Sequence, residues 1–248
     1  MVDSLSLTSV YIEVFFESVR ISNASGFIIK NLSKYFLVTN RHVVTGRHAI
    51  TDDYISKKGA IGSHLKVWAQ KQQQSNYEGV CIDVPLYTRD SDTPELENRS
   101  WLEHPKGRAI DVVLVPLNDL KESIHTFNLQ LADTSLFLPL TMPISLIGYP
   151  LGITSFQKLP FWVTGFIASE NEVDKDKLYV NVPGRRGLSG APVISRQLGG
   201  FPDANGNIFM NGIPRDKFVG IYSGRLHDES DIGCIWKPKV INEILASI

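Results

Sequence analysis

The run Gly184-Arg185-Arg186-Gly187-Leu188-Ser189-Gly190-Ala191-Pro192 decides how the rest of the chain is read, because glycines flank one serine on both sides. A serine hydroxyl is a weak nucleophile at neutral pH. It reacts only where a base takes its proton and donors hold the oxyanion that forms. Gly187 has no Cβ and can turn its N–H outward beside the N–H of Ser189, which would make a pair of oxyanion donors. Gly190 lets the backbone approach closely, and Ala191-Pro192-Val193-Ile194 then returns to an apolar, strand-like run. The same residues also suit a glycine-rich hairpin turn, so the chemistry has to be sought elsewhere in the chain.

Upstream, Gly26-Phe27-Ile28-Ile29-Lys30 and Tyr35-Phe36-Leu37-Val38-Thr39 flank the polar link Asn31-Leu32-Ser33-Lys34, the pattern of a β-hairpin. Asn40-Arg41-His42-Val43-Val44 follows directly. A histidine at the end of an apolar strand can be held rigidly while its ring faces a cleft, as a general base requires; a packed or surface histidine is the plainer reading. His48 lies close by, but no acidic or cysteine partners stand at a metal-ligand spacing, so no metal site is expected. In Ala109-Ile110-Asp111-Val112-Val113-Leu114-Val115-Pro116-Leu117 one carboxylate heads an almost wholly apolar run. A buried carboxylate needs a partner, which would be a backbone amide, an arginine or the imidazole of His42.

The remaining segments read as short strands. Residues 10–19 are rich in β-branched and aromatic types and lead into a turn-like 22–26. Residues 65–69, 80–84, 142–150, 161–168, 178–182 and 218–224 repeat the pattern, and 203–207 signal a hairpin. Residues 70–76 and 88–100 read as exposed loops, and 118–134 as a linker. Near the end, Pro238 precedes Val240, Ile241, Ile244, Leu245 and Ile248 on one helical face. Many short strands and one terminal helix predict an all-β protein.

With 248 residues the chain can bury a large core in one or two units. Its formal net charge of -1, without a basic run, argues against nucleic acid or an anionic membrane as partner. Cys81 and Cys234 are too few for a disulfide framework and are expected to be small buried residues in a reducing compartment. The absence of a basic start and of a long apolar stretch leads to the expectation of a cytoplasmic location. Nothing in the sequence calls for a cofactor.

The segments around His42, Asp111 and Ser189, taken in that order, resemble the chymotrypsin-like (trypsin-like) serine peptidases, closest to the peptidase domain of the HtrA type. Val38-Thr39-Asn40-Arg41-His42-Val43-Val44, Asp111-Val112-Val113-Leu114 and Gly187-Leu188-Ser189-Gly190-Ala191-Pro192 carry the resemblance. Ile147-Gly148-Tyr149-Pro150-Leu151-Gly152, Val163-Thr164-Gly165-Phe166-Ile167-Ala168 and Ile232-Gly233-Cys234-Ile235 echo it more weakly. The resemblance implies a chymotrypsin-like double β-barrel of two six-stranded barrels with a short C-terminal helix. Residues 1–118 would form the first barrel with His42 and Asp111, 119–134 the connection, 135–236 the second barrel with Ser189, and 237–248 the helix. It also implies a serine endopeptidase acting through an acyl-enzyme, with His42, Asp111 and Ser189 catalytic and the N–H groups of Gly187 and Ser189 as oxyanion hole. Ser223, Gly224 and Arg225 would pair with substrate backbone, and Ser223 would lie near Asp111. Protein or peptide substrates follow, with an activating protein partner as an open question.

Some departures bear on that carry-over. Leu188 stands where digestive relatives place an aspartate that pairs with a new N-terminus, so activation by trimming is not expected. Ala191 replaces a glycine. Pro183 would lie at the base of the specificity pocket, and Arg185, Arg186 and Arg225 would either favour an acidic or small residue before the cut bond or form a solvated basic face. No PDZ-like segment is expected after Ile248. The alternative is a catalytically silent or latent peptide-binding module of the same fold, switched on by a partner.

Overall fold

Strand-forming residues dominate the chain, and in the computed structural model they pair into two antiparallel units. The structure describes residues 2–49, 51–56, 59–73, 76–89, 97–118, 120, 123–134, 136–203, 205, 207–210 and 214–248. In the first unit β1 (Ser9–Phe16) turns into the long β2 (Val19–Asn31), which pairs with β3 (Lys34–Thr39). A short helix α1 (Arg41–Thr45) follows. Then come β4 (His64–Gln73), β5 (Asn76–Pro85), β6 (Tyr87–Arg89), β7 (Glu97–Arg99), β8 (Leu102–Glu103) and β9 (Val113–Pro116). Seven of these form a sheet in the order β5-β4-β1-β2-β3-β9-β8, with β6 and β7 as a separate pair.

The second unit contains β10 (Pro143–Gly148), β11 (Phe161–Ile167), β12 (Lys177–Asn181), β13 (Pro192–Gln197), β14 (Gly200–Pro202), β15 (Ile208–Met210), β16 (Arg215–Arg225) and β17 (Ile232–Trp236). Six of them close into a barrel in the order β10-β11-β12-β17-β16-β13, and the chain ends on helix α2 (Lys239–Leu245). The all-β class and the terminal helix are those expected. Among the described residues the ladder closes fully in the second unit; in the first, β5 and β8 stand at the two ends of the strand order.

Tertiary pairing extends strands beyond their local sequence signals. Residues 22–26 are not a turn but the middle of β2, because Asn23, Ala24 and Ser25 face Glu13, Ile12 and Tyr11 of β1 across the ladder. Gln70 is not in an exposed loop: it pairs with Gly79 in the β4–β5 hairpin and is 2% exposed. At 203–207 the Asp203 carboxylate accepts from the N–H groups of Asn205 and Asn207, both at 2.8 Å, while 204 and 206 lie outside the described residues. Parts of the 88–100 and 118–134 readings also lie outside them. Cys234 is buried as expected, but Cys81 is exposed.

Alternation along the strands divides the apolar side chains between separate cores. Val10, Ile12, Ile28, Leu37, Val67 and Val113 fill the first unit, and Leu146, Val180, Val193, Val219 and Ile235 the barrel. The opposite faces of β2 and β3 present Phe27, Ile29, Phe36 and Val38 to Ile147, Ile194, Phe218 and Ile221 of the barrel and to Val240, Ile241 and Ile244 of α2. At the centre of this shared core the rings of Phe27, Phe127 and Phe218 have centroids 4.7 to 5.6 Å apart. Truncating a buried phenylalanine there removes packing on both sides of the junction. Phe218→Ala is expected to lower unfolding free energy by about 3–5 kcal/mol, read from urea denaturation by tryptophan fluorescence. Loss of less than about 1 kcal/mol would show that the junction is not a shared core.

Candidate active site

β3 ends at Thr39, and the chain passes through Asn40, 0% exposed, into α1. Asn40 donates from Nδ2 to the backbone carbonyl of Asp111 at 2.7 Å, which ties the histidine segment to the approach of β9. His42 therefore sits in the first turn of α1 with its backbone N–H free for a side-chain acceptor. The Asp111 carboxylate takes it: Oδ1 accepts from His42 N at 2.9 Å, and Oδ2 lies 2.7 Å from His42 Nδ1. Oδ2 also accepts from Ser223 Oγ at 2.5 Å. Asp111 is 3% exposed, so the carboxylate buried at the head of an apolar run is satisfied by three donors. Of the partners open to it from sequence, it has both a backbone amide and the imidazole.

Ser223 owes its position to an irregularity. The β16–β17 register shifts between Tyr222 and Gly224, and the extra residue of such a bulge re-aims a side chain. The β13–β16 ladder starts only at Pro192 and Ile221, so Ser223, Gly224 and Arg225 run past the end of β13. One flank of this segment is then free of a strand partner among the described residues.

The serine loop is held from the first unit by a residue that sequence reading passed over. Ser25, 0% exposed, donates from its backbone N–H to the Ser189 carbonyl at 2.8 Å and from Oγ to the Gly187 carbonyl at 2.7 Å. Its Oγ also accepts from Tyr149 N at 3.0 Å. Such a hub has no local signature, since its partners lie more than a hundred residues away in the chain. Gly187 has φ +92, and a Cβ there would overlap the Tyr149 carbonyl oxygen and come within 2.6 Å of Asn23 Oδ1. Only glycine fits. The Arg186 carbonyl accepts from Leu151 N at 2.6 Å. Because the C=O and N–H of a trans peptide point in opposite directions, the Gly187 N–H is turned away from Leu151. Among the described residues, neither the Gly187 nor the Ser189 N–H donates a hydrogen bond.

His42, Asp111, Ser189, Ser223, Gly224 and Arg225 all line one cleft cavity of about 290 Å³. The Ser189 hydroxyl donates to the Ser223 carbonyl at 3.3 Å; among the described residues it makes no hydrogen bond to His42. Pro183 is exposed and does not line this cavity, because the chain enters the serine loop with Gly184 facing inward instead. Tyr222, Cys234 and Trp236 are among the residues that do line it. Burial pushes the Cys234 thiol up to about 11, so it stays protonated and does not compete as a nucleophile. Among the described residues no group of three or more His, Cys, Asp or Glu could hold a metal ion, and no helix is long and apolar enough to cross a membrane.

The geometry has a counterpart in known families. The model of the trypsin-like peptidase domain matches residues 24–200, more than half of the chain, and the match spans His42, Asp111 and Ser189. The chain belongs to the trypsin-like peptidase family. As a serine peptidase it is a hydrolase. No curated protein sequence matches it. Among solved structures, the active form of Rv3671c protease from M. tuberculosis aligns with TM-score 0.54 at 15% identity, covering 99% of this peptidase and 82% of that chain. The serine endoprotease from Yersinia pestis aligns with TM-score 0.50 at 12% identity, covering 98% of this peptidase and 62% of that chain. At such identities the likeness shows a common fold.

Proposed function

We propose that this peptidase is an endopeptidase that cleaves protein chains through an acyl-enzyme formed on Ser189. The observation that carries the reading is the Asp111 carboxylate, buried and 2.7 Å from His42 Nδ1 in the cleft that also holds Ser189. Asp111 keeps the imidazole proton on Nδ1 and leaves Nε2 as the acceptor for the serine proton. Attack by Ser189 Oγ on the scissile carbonyl passes its proton to His42 Nε2 and puts negative charge on the carbonyl oxygen. The N–H groups of Gly187 and Ser189 receive that charge. Collapse of the tetrahedral species expels the amine, which takes the proton from His42, and water repeats the sequence to release the acid. Ser223, Gly224 and Arg225 offer an unpaired strand flank on which substrate backbone can add as a strand, which favours peptides over small esters.

The hydrogen bond from Ser189 Oγ to the Ser223 carbonyl describes a resting rotamer. In the proposed step the hydroxyl gives up that bond and turns toward His42, a side-chain rotation. The latched Arg186 carbonyl supports an oxyanion hole that needs no partner to form. A fluorophosphonate probe is expected to label the purified peptidase at Ser189, located by tandem mass spectrometry. Absence of labelling across buffers and pH would sink the reading in favour of a silent or partner-activated module.

A further inference from the structure

The inner wall of the cleft is formed by a tyrosine that the proposed chemistry does not use. Tyr222 stands immediately before the Ser223 bulge, is 1% exposed, and lines the same cavity as Ser189 and His42. Its ring lies between two glycines. A Cβ at Gly184 would overlap the phenol oxygen and meet Cζ at 3.1 Å, and one at Gly233 would meet Cε2 at 2.5 Å and the oxygen at 3.2 Å. The ring thus takes up the space between the segment entering the serine loop and β17, space that a long side chain next to Ser189 would need.

The hydroxyl of Tyr222 is buried and has no hydrogen-bond partner among the described residues. A buried donor without an acceptor is unfavourable until an acceptor arrives. Burial pushes the Tyr222 phenol up to about 12, so it remains a neutral donor under ordinary conditions. Arg225 and Arg185, the guanidiniums that act on Tyr222, already face Asp228 at 3.6 Å and Asp231 at 4.0 Å. The acceptor best suited to this wall is therefore a neutral oxygen on a short side chain.

We propose that Tyr222 determines specificity: its ring limits the residue before the cut bond to a small side chain, and its hydroxyl hydrogen-bonds an oxygen-bearing one, which favours serine and threonine. The inference rests on Ser189 as nucleophile, so fluorophosphonate titration of active sites comes first. Wild type, Tyr222→Phe and Tyr222→Ala are then given a proteome-derived peptide library, followed by matched peptides that differ only before the cut bond. Wild type is expected to cleave after threonine about tenfold faster in kcat/KM than after its isostere valine. Leucine, phenylalanine and arginine are expected to be at least about a hundredfold poorer. Tyr222→Phe keeps the ring, so large residues stay excluded while the threonine-to-valine ratio falls to about one. Tyr222→Ala opens the recess and gains cleavage after leucine and phenylalanine; should it fail to fold, the Phe variant still decides the role of the hydroxyl.

A wild type that prefers large, basic or acidic residues, or a Tyr222→Phe variant that keeps the threonine preference, would overturn the inference while labelling at Ser189 stands. Absence of labelling would overturn the nucleophile, and this inference with it.

Discussion

Ser189→Ala is expected to lower kcat by about a millionfold, equivalent to about 8 kcal/mol of barrier. The reason is geometric. Ser189 is the hydroxyl in the cleft beside two backbone N–H groups, those of Gly187 and Ser189 itself, that donate to no other group among the described residues. His42→Ala is expected to cost about the same, and the double variant no more than either alone, because nucleophile and base act as one unit. Single-turnover kinetics on a cleaved peptide, with circular dichroism as a control for folding, would measure it. Losses that multiply in the double variant would mean that Ser189 and His42 do not share a step. Residual hydrolysis in Ser189→Ala is expected to remain above that in water, since substrate binding and the oxyanion donors survive.

Asp111→Asn is expected to reduce kcat by about 10⁴ with little change in KM. The carboxylate accepts three hydrogen bonds through both oxygens: one on Oδ1 from His42 N and two on Oδ2 from His42 Nδ1 and Ser223 Oγ. An asparagine can offer an oxygen on only one side. If its amide nitrogen faces the ring, it meets the Nδ1 proton and drives that proton to Nε2, where the serine proton must go. If it is flipped, the nitrogen meets the His42 backbone N–H and leaves a buried donor unpaired. The first orientation removes the base in its working tautomer; the second keeps the tautomer but at the cost of that unpaired buried donor. The imidazole NMR signals of wild type and variant would report the change of tautomer, and a variant with unaltered tautomer and full activity would remove Asp111 from the mechanism.

Much of the candidate site was legible along the chain. A histidine at the end of an apolar strand, an acid at the head of another, and a serine between glycines each carry a local signature, and their order carried the family resemblance. The parts that escaped have no such signature. Ser25 was read inside a turn, yet β1 pairing makes that stretch the middle of a strand and puts its hydroxyl against Gly187. Pro183 was placed at the pocket base by position alone, whereas Gly184 faces inward to make room for Tyr222. Gln70 looked solvated by composition, but pairing with Gly79 buries it.

Residue types and their spacing were sufficient for the all-β class and for the terminal helix, since strand propensity and apolar periodicity are written residue by residue; the three side chains of the proposed mechanism were implied by the family resemblance that their order carried. Which side chain fills the cleft, and which hydroxyl anchors the serine loop, emerged only when β2, β16 and β17 were brought together. Volume and hydrogen-bond satisfaction belong to the space between segments far apart in the chain, and no single stretch encodes that space.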